Sequence, residues 1–265
     1  MKFKAIFAAA LAATMAAASP ALMAAPADGA GVMKESEQRI KSSTEKTLYK
    51  IELLDAGGQV TQSRDIELYY KKAEGSESTL FKFTAPPVVQ GTGLLIVDSG
   101  KPVNDIWMYL PATRRIRRIA GAEKSNWFMG TEFTHEDFED YKMSAYAFQL
   151  DKEDEACGDQ RRCFVVSAVA SDAAEKEASG YGKKVYWIEK QSMYPVRVDY
   201  LDKAGAPAKR LDVRKLAQVG NYWRPQVYEM RNLANGRTTR LTAVSREVDG
   251  KLDDHFVSQR YLRSE

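Results

Sequence analysis

The chain has 265 residues, 44% hydrophobic and 28% charged, with 39 Lys plus Arg against 36 Asp plus Glu and a formal net charge of +3. Lys2 and Lys4 sit in a leader-like N-terminus, and without those two charges the balance falls to +1. A near-neutral chain lacks the domain-wide positive footprint that nucleic-acid binding requires, so nucleic acid is excluded as a partner.

The first predicted element is a secretory leader. Met1 to Lys4 is basic, an Ala/Leu/Met-rich run follows to Met23, and the stretch ends in the small residues of "AAPAD". This order predicts a signal peptide over residues 1–25, with cleavage after Ala25 or Ala27, that is, between 25 and 28. A retained anchor fits less well, because the run is alanine-rich and broken at Ser19-Pro20. Nothing after residue 27 is apolar and long enough to span a bilayer, and no cysteine lies near the leader's end to carry a lipid. Residues 28–265 are therefore expected to be a single exported, soluble domain.

Met33 to Thr47 is polar and reads as a short helix or arm. From Leu48 the pattern changes to period two, and "LYKIELL" and "QSRDIELYY" flank the turn-like "DAGGQ", a hairpin signal. Similar pairs follow: "TLFKFT" with "GTGLLIV", "DIWMYLP" with "RRIRRIA", "YAFQL" with "CFVVSAVA", and "KVYWIEK" with "PVRVDYLD". A last set ends at Asn235-Gly236 and "GRTTRLTAVSREV". Strands this regular, with little helical periodicity, predict one mainly β domain. Several strands are apolar on both faces: Ile106, Met108 and Leu110 alternate with Trp107 and Tyr109. A sheet wetted on one side would alternate apolar with polar. Part of this sheet is therefore expected to be covered twice or curved around something apolar.

The irregular stretch from Gly121 to Met143 carries Trp127, Phe128, Met129, Phe133 and Phe138, with Thr134 placed to cap a short helix at "THEDFEDY". Apolar residues in so long a connection are either tucked under the sheet or form a cover over a cavity. Cys157 and Cys163 flank "GDQRR" and, in an exported chain, read as a disulfide across a turn, worth roughly 2 kcal/mol in the chain-entropy model. Zinc would have too few soft ligands with only His135 and His255 available, and the pair lacks redox C-x-x-C spacing.

Motifs for catalysis are missing: there is no G-x-S-x-G, no H-E-x-x-H and no phosphate loop, so the chain reads as a non-enzyme without metal or cofactor. "GTG" at Gly91 to Gly93 reads as a bulge or tight bend, and "HED" at His135 to Asp137 as a hydrogen-bonded turn. The run Arg114, Arg115, Arg117, Arg118 has two readings. It pairs with the acidic stretch Glu132 to Asp140, or Arg115 and Arg117, on one strand face, form a polar rim for an anionic headgroup or partner.

The order "FKFTAPPVVQGTGLLIVD", "NDIWMYLPATRRIRRIAGAEKSNWFMGTEFTHEDFEDY", "YGKKVYWIEKQSMYPVRVDYLDKAG" and "GNYWRPQVYEMRNLANGRTTRL" closely resembles the bacterial LolA-like outer-membrane lipoprotein-sorting proteins, from about Ser36 to Leu262. The resemblance implies a strongly curved antiparallel sheet, an incomplete β-barrel lidded by short helices or loops. It also implies a periplasmic carrier or chaperone that holds an acyl chain, a lipoprotein or another hydrophobic ligand. Trp107, Tyr109, Leu110, Trp127, Phe128, Met129 and Phe133 are then the cavity and lid candidates. Partners would include an inner-membrane transporter of the resistance-nodulation-division class, with peripheral membrane contact allowed. The alternative is a binding or sensor subunit that docks on such a transporter, or on a signalling protein, and carries nothing. The N-terminal arm is shorter and more polar than the first helix of the lipoprotein carrier itself.

Overall fold

The computed structural model describes residues 28–264 apart from 102, 141 and 159; the predicted leader and its cleavage point lie outside the described residues. Asp28 caps the first helix, α1 (Gly29–Ile40), its Oδ1 accepting from Gly31 N at 2.7 Å. The polar stretch read as a marginal helix or arm thus becomes a helix that starts earlier, in Gly-Ala-Gly. It buries Val32, Met33 and Ser36 against the strands it crosses.

Thirteen strands then form one antiparallel sheet. They are β1 (Thr44–Leu54), β2 (Val60–Ala73), β3 (Ser76–Ala85), β4 (Gly93–Asp98), β5 (Asp105–Leu110) and β6 (Arg115–Ile119), followed by β7 (Tyr146–Ala156) and β8 (Arg162–Ala170). After a short helix, α2 (Ala173–Ala178), come β9 (Tyr181–Glu189), β10 (Pro195–Asp202), β11 (Pro207–Val219), β12 (Tyr222–Asn232) and β13 (Thr238–Val248). A last helix, α3 (Gln259–Arg263), ends the chain. Each predicted hairpin is present. The spatial order is β6-β5-β4-β3-β2-β1-β13-β12-β11-β10-β9-β8-β7, so the first and last strands meet in the middle and β6 and β7 are the two free edges. The sheet does not close between those edges. It is an incomplete barrel, as the resemblance implied.

Period two sorts the side chains onto two faces. On the inner face Phe81 pairs across to Leu94 and Leu94 to Met108, and this row continues into a core that draws on both ends of the sheet. On the outer face Tyr69, Leu80, Leu95 and Trp107 line up as cross-strand neighbours. They are covered by the C-terminal segment: Phe256 stacks on Tyr69 at 4.9 Å and Leu262 is fully buried. Lys82 Nζ donates to Tyr261 O at 3.0 Å and to Ser264 Oγ at 2.9 Å, which ties the end of that segment down. Gly93, the second glycine of "GTG", makes room for it, since a Cβ there would stand 2.7 Å from Leu262 Cδ1. β5, which reads as apolar on both faces, is thus covered twice, inside by the core and outside by this strap. Cys157 and Cys163 are bridged across the β7–β8 turn.

Candidate functional site: a cavity under the crossing segment

Residues 120–145 must carry the chain from one free edge of the sheet to the other, and they do so across the inner face. Three aromatic rings fix the path. Phe138 packs on Phe81 of β3 at 4.8 Å, Phe128 stacks on Phe83 at 5.7 Å, and Phe133 meets Tyr228 of β12 edge-on at 6.3 Å. Phe128 and Phe133 also pack against Phe138, at 5.1 and 5.4 Å. Aromatic pairs in these geometries add to the plain effect of burial.

Polar anchors hold the same segment. Arg64 donates to Met129 O at 2.6 Å, at a tight turn where Met129 and Gly130 both have positive φ. Glu132 accepts from Asn232 Nδ2 at 2.9 Å and pairs with Arg237 at 3.1 Å, and Glu136 accepts from Ser179 Oγ at 2.7 Å. Asp137 closes the capping box on Thr134 N at 2.6 Å, accepts from Tyr181 at 3.0 Å and pairs with Lys209. Both side chains of that pair are 1% exposed. Burial lowers the Lys209 ammonium from its ordinary range, and Asp137 opposes the change.

Beside this segment lies a cavity of about 320 Å³. Its walls are Tyr49, Leu68 and Phe81 on one side, Tyr200, Leu211 and Tyr228 on the other, and Phe133 and Phe138 of the crossing segment between them. Charged groups stand at its rim, already matched with each other. Lys41 Nζ lies 2.7 Å from Glu37 and 2.8 Å from Glu77; burial opposes its charge, but Asp140, Glu37 and Glu77 hold the ammonium above its usual range. Arg224 Nε lies 2.7 Å from Glu45, whose other oxygen is 3.0 Å from Arg246. A rim neutralised in this way leaves the apolar walls to provide the affinity.

The same curled sheet occurs in solved structures. A domain assigned to outer membrane lipoprotein sorting from Vibrio parahaemolyticus superposes with a TM-score of 0.80 at 28% identity, over 89% of this chain and 98% of that one. A DUF1329 family protein from Desulfovibrio piger gives 0.80 at 23% identity over 88% and 97%, and a LolA superfamily protein from Nitrosomonas europaea 0.66 at 15% over 88% and 99%. A family model described as "-like: Uncharacterized protein" matches residues 75–264. The chain belongs to the LolA-like family. No curated protein matches the sequence.

In this LolA-like chain the residues singled out from sequence divide between three places. Phe133 lines the cavity, Phe128 is buried behind it, and Met129 packs on the same core. Leu110 also packs on that core, but Trp107 and Tyr109, one residue out of phase, point to the outer face beneath the C-terminal strap. Trp127 is 50% exposed, with Lys209 Nζ 5.2 Å from its ring. Arg115 and Arg117 pair with Leu110 and Met108 on the edge strand and so share the inner side, but neither lines the cavity. The acidic stretch does not serve the arginines: Arg117 pairs with Glu123 at 2.9 Å and Arg118 with Asp105. Most of the cavity wall, the tyrosines above all, escaped the sequence reading. Those residues sit on β1, β10 and β12, and only the meeting of β1 with β13 brings them together.

His135 opens the capped turn as a buried group. Its Nδ1 faces Glu123 O at 3.2 Å, its ring is edge-on to Phe128 at 5.9 Å, and Nε2 is buried without a partner among the described residues. Burial holds the imidazole below its usual range, and the nearby Arg117 adds to this. The unfolded chain then binds a proton that the native chain refuses, so stability contributed by neutral His135 falls as the pH drops below about 6.5. Thermal melts at pH 7.5 and 5.5 should show wild type losing more over that interval than His135→Gln. Parallel losses would mean that His135 protonates freely in the native state.

Proposed function

We propose that this LolA-like protein is a periplasmic, non-enzymatic carrier that holds an acyl chain, lipidated polypeptide or similar hydrophobic ligand in the cavity and passes it between membranes. The aromatic-walled cavity under the crossing segment carries the reading. Each methylene buried there stabilises the complex by about 0.8 kcal/mol, so release needs a handover partner or a movement of the crossing segment. An inner-membrane transporter of the resistance-nodulation-division class would supply such a handover.

Leu68 and Leu211 stand on opposite walls and are both half-buried, which leaves room for a larger side chain to enter the cavity. Leu68→Trp and Leu211→Trp should each weaken binding of an apolar fluorescent probe by tenfold or more, about 1.4 kcal/mol, while leaving the melting temperature close to wild type. Decanol and decanoate should compete similarly, because the rim cations are already paired. Native mass spectrometry of the purified protein should find co-purifying lipid. A protein free of lipid that binds no apolar probe would favour the docking or sensor subunit instead.

A further inference from the structure

The arginine hairpin does not serve the cavity, and it lies beside the most exposed large apolar side chain among the described residues. Val88, in the loop between β3 and β4, is 86% exposed. That loop is not loose: Val89 and Gln90 donate to Pro86 O at 3.0 Å, Gly91 donates to Phe83 O at 2.8 Å, and Val89 is buried as an anchor. A rigid loop that holds a valine out in solvent, next to exposed Pro87, has no use in the fold's own core.

Its neighbour is the β5–β6 turn. A Cβ on Gly91 would stand 3.1 Å from the ring of Pro111, so the loop and the turn touch. The turn is fixed by Thr113 N to Leu110 O and Arg114 N to Pro111 O, each 3.1 Å. Arg114 and Arg115 project from it, exposed and without a carboxylate partner among the described residues. By contrast, Arg117 and Arg118 are each spoken for. The next turns along the same end of the sheet, residues 56–58 and 233–236, are also short and uncharged, and they lie close together, since a Cβ on Gly236 would stand 3.2 Å from Ala56 Cβ. The one carboxylate among these four turns, Asp55, accepts from its own loop at Gln59 N, 2.9 Å away.

We propose that this end of the sheet, the β3–β4 loop with the β5–β6 turn, docks on an anionic lipid surface. Val88 enters the headgroup boundary, and Arg114 and Arg115 meet phosphate at its level. An apolar side chain at the tip of a loop, rather than in a pocket, suits a fluid surface that closes around it better than a protein partner with a fixed shape. Unpaired guanidiniums flanking it supply the charge attraction, worth about fivefold in affinity for each cation held near an anionic leaflet.

The test is flotation of the purified protein with vesicles of phosphatidylcholine alone and with added phosphatidylglycerol. Binding should require phosphatidylglycerol and weaken at high salt. Arg114→Glu with Arg115→Glu should lower it by more than tenfold, and Val88→Asp should lower it by a similar factor. Val244→Asp, at another site 62% exposed, should have no effect. All four positions are exposed, so the fold survives each change. Probe binding in the cavity should be unchanged in every variant, which separates this surface from the carrier reading. Equal vesicle binding by Val88→Asp and Val244→Asp, or no binding to anionic vesicles, overturns the proposal. So does retention on an acidic polypeptide matrix without vesicle binding, which would assign the surface to a protein.

Discussion

Asp137→Ala is expected to destabilise the protein by about 3–5 kcal/mol, because it leaves the Lys209 ammonium buried with no carboxylate. The same change strips acceptors from Tyr181 and from the Thr134 amide, which frees the turn that holds Phe133 and Phe138 at the cavity. For a chain of this size the loss should lower the melting temperature on the order of 10 °C. Asp137→Ala combined with Lys209→Met should recover most of it, since replacing both buried charges by apolar groups removes the stranded ion. A single variant that melts within about 2 °C of wild type would show that the crossing segment is held by its aromatic rings alone.

The C-terminal strap should be nearly as costly to disturb. Leu262 is fully buried against Tyr69, Leu80, Leu95 and Tyr109, and Leu262→Ala is expected to cost about 2–5 kcal/mol through lost burial and the space left behind. Gly93 provides an internal check. Gly93→Ala would drive its Cβ to 2.7 Å from Leu262 Cδ1 and 2.9 Å from Phe81 O, so it should destabilise wild type. In the Leu262→Ala background the first clash is gone, and Gly93→Ala should cost less. Urea midpoints for the four proteins give the coupling directly. Equal costs in both backgrounds would mean that the strap does not rest on Gly93.

Local pattern was enough to read the strands and their hairpins, because period two and turn residues act over a few positions. "DAGGQ", Asn235-Gly236 and the cysteine turn each sit where the sequence placed them. That the irregular segment packs against the sheet was legible from its apolar residues, which left open whether they tuck under the sheet or cover a cavity; Phe128, Phe133 and Phe138 pack on the inner face, and Trp127 does not. Two things were not legible. The strap after Val248 has its apolar residues, Leu252, Phe256 and Leu262, among charged neighbours, and nothing local says that they lie on the outer face. The cavity wall depends on which strands meet across the sheet. Tyr49 and Tyr228 lie in edge-on contact at 5.9 Å, though they are far apart in sequence and no short-range signal joins them. The same distinction explains Trp107 and Tyr109: alternation separated them from Met108, but which face lined the cavity depended on the global curl.

The meeting of β1 with β13 has a consequence for how the chain assembles. The strands from β1 to β6 and those from β7 to β13 are each a meander of neighbouring hairpins, and each can zip as soon as its own residues are available. The bond between the two meanders is different in kind, since Thr47 Oγ1 accepts from Arg246 Nε at 3.1 Å over a sequence separation of 199. Closing so long a loop must precede the contacts that reward it, which makes such pairings slow. The join at the centre of this sheet therefore forms after the hairpins on either side of it. Until Val248 is available, β1 waits as an unpaired edge in the middle of the future sheet, the position where a foreign strand would do most harm. A chain cut short before β13 would keep most of its hairpins and have no cavity.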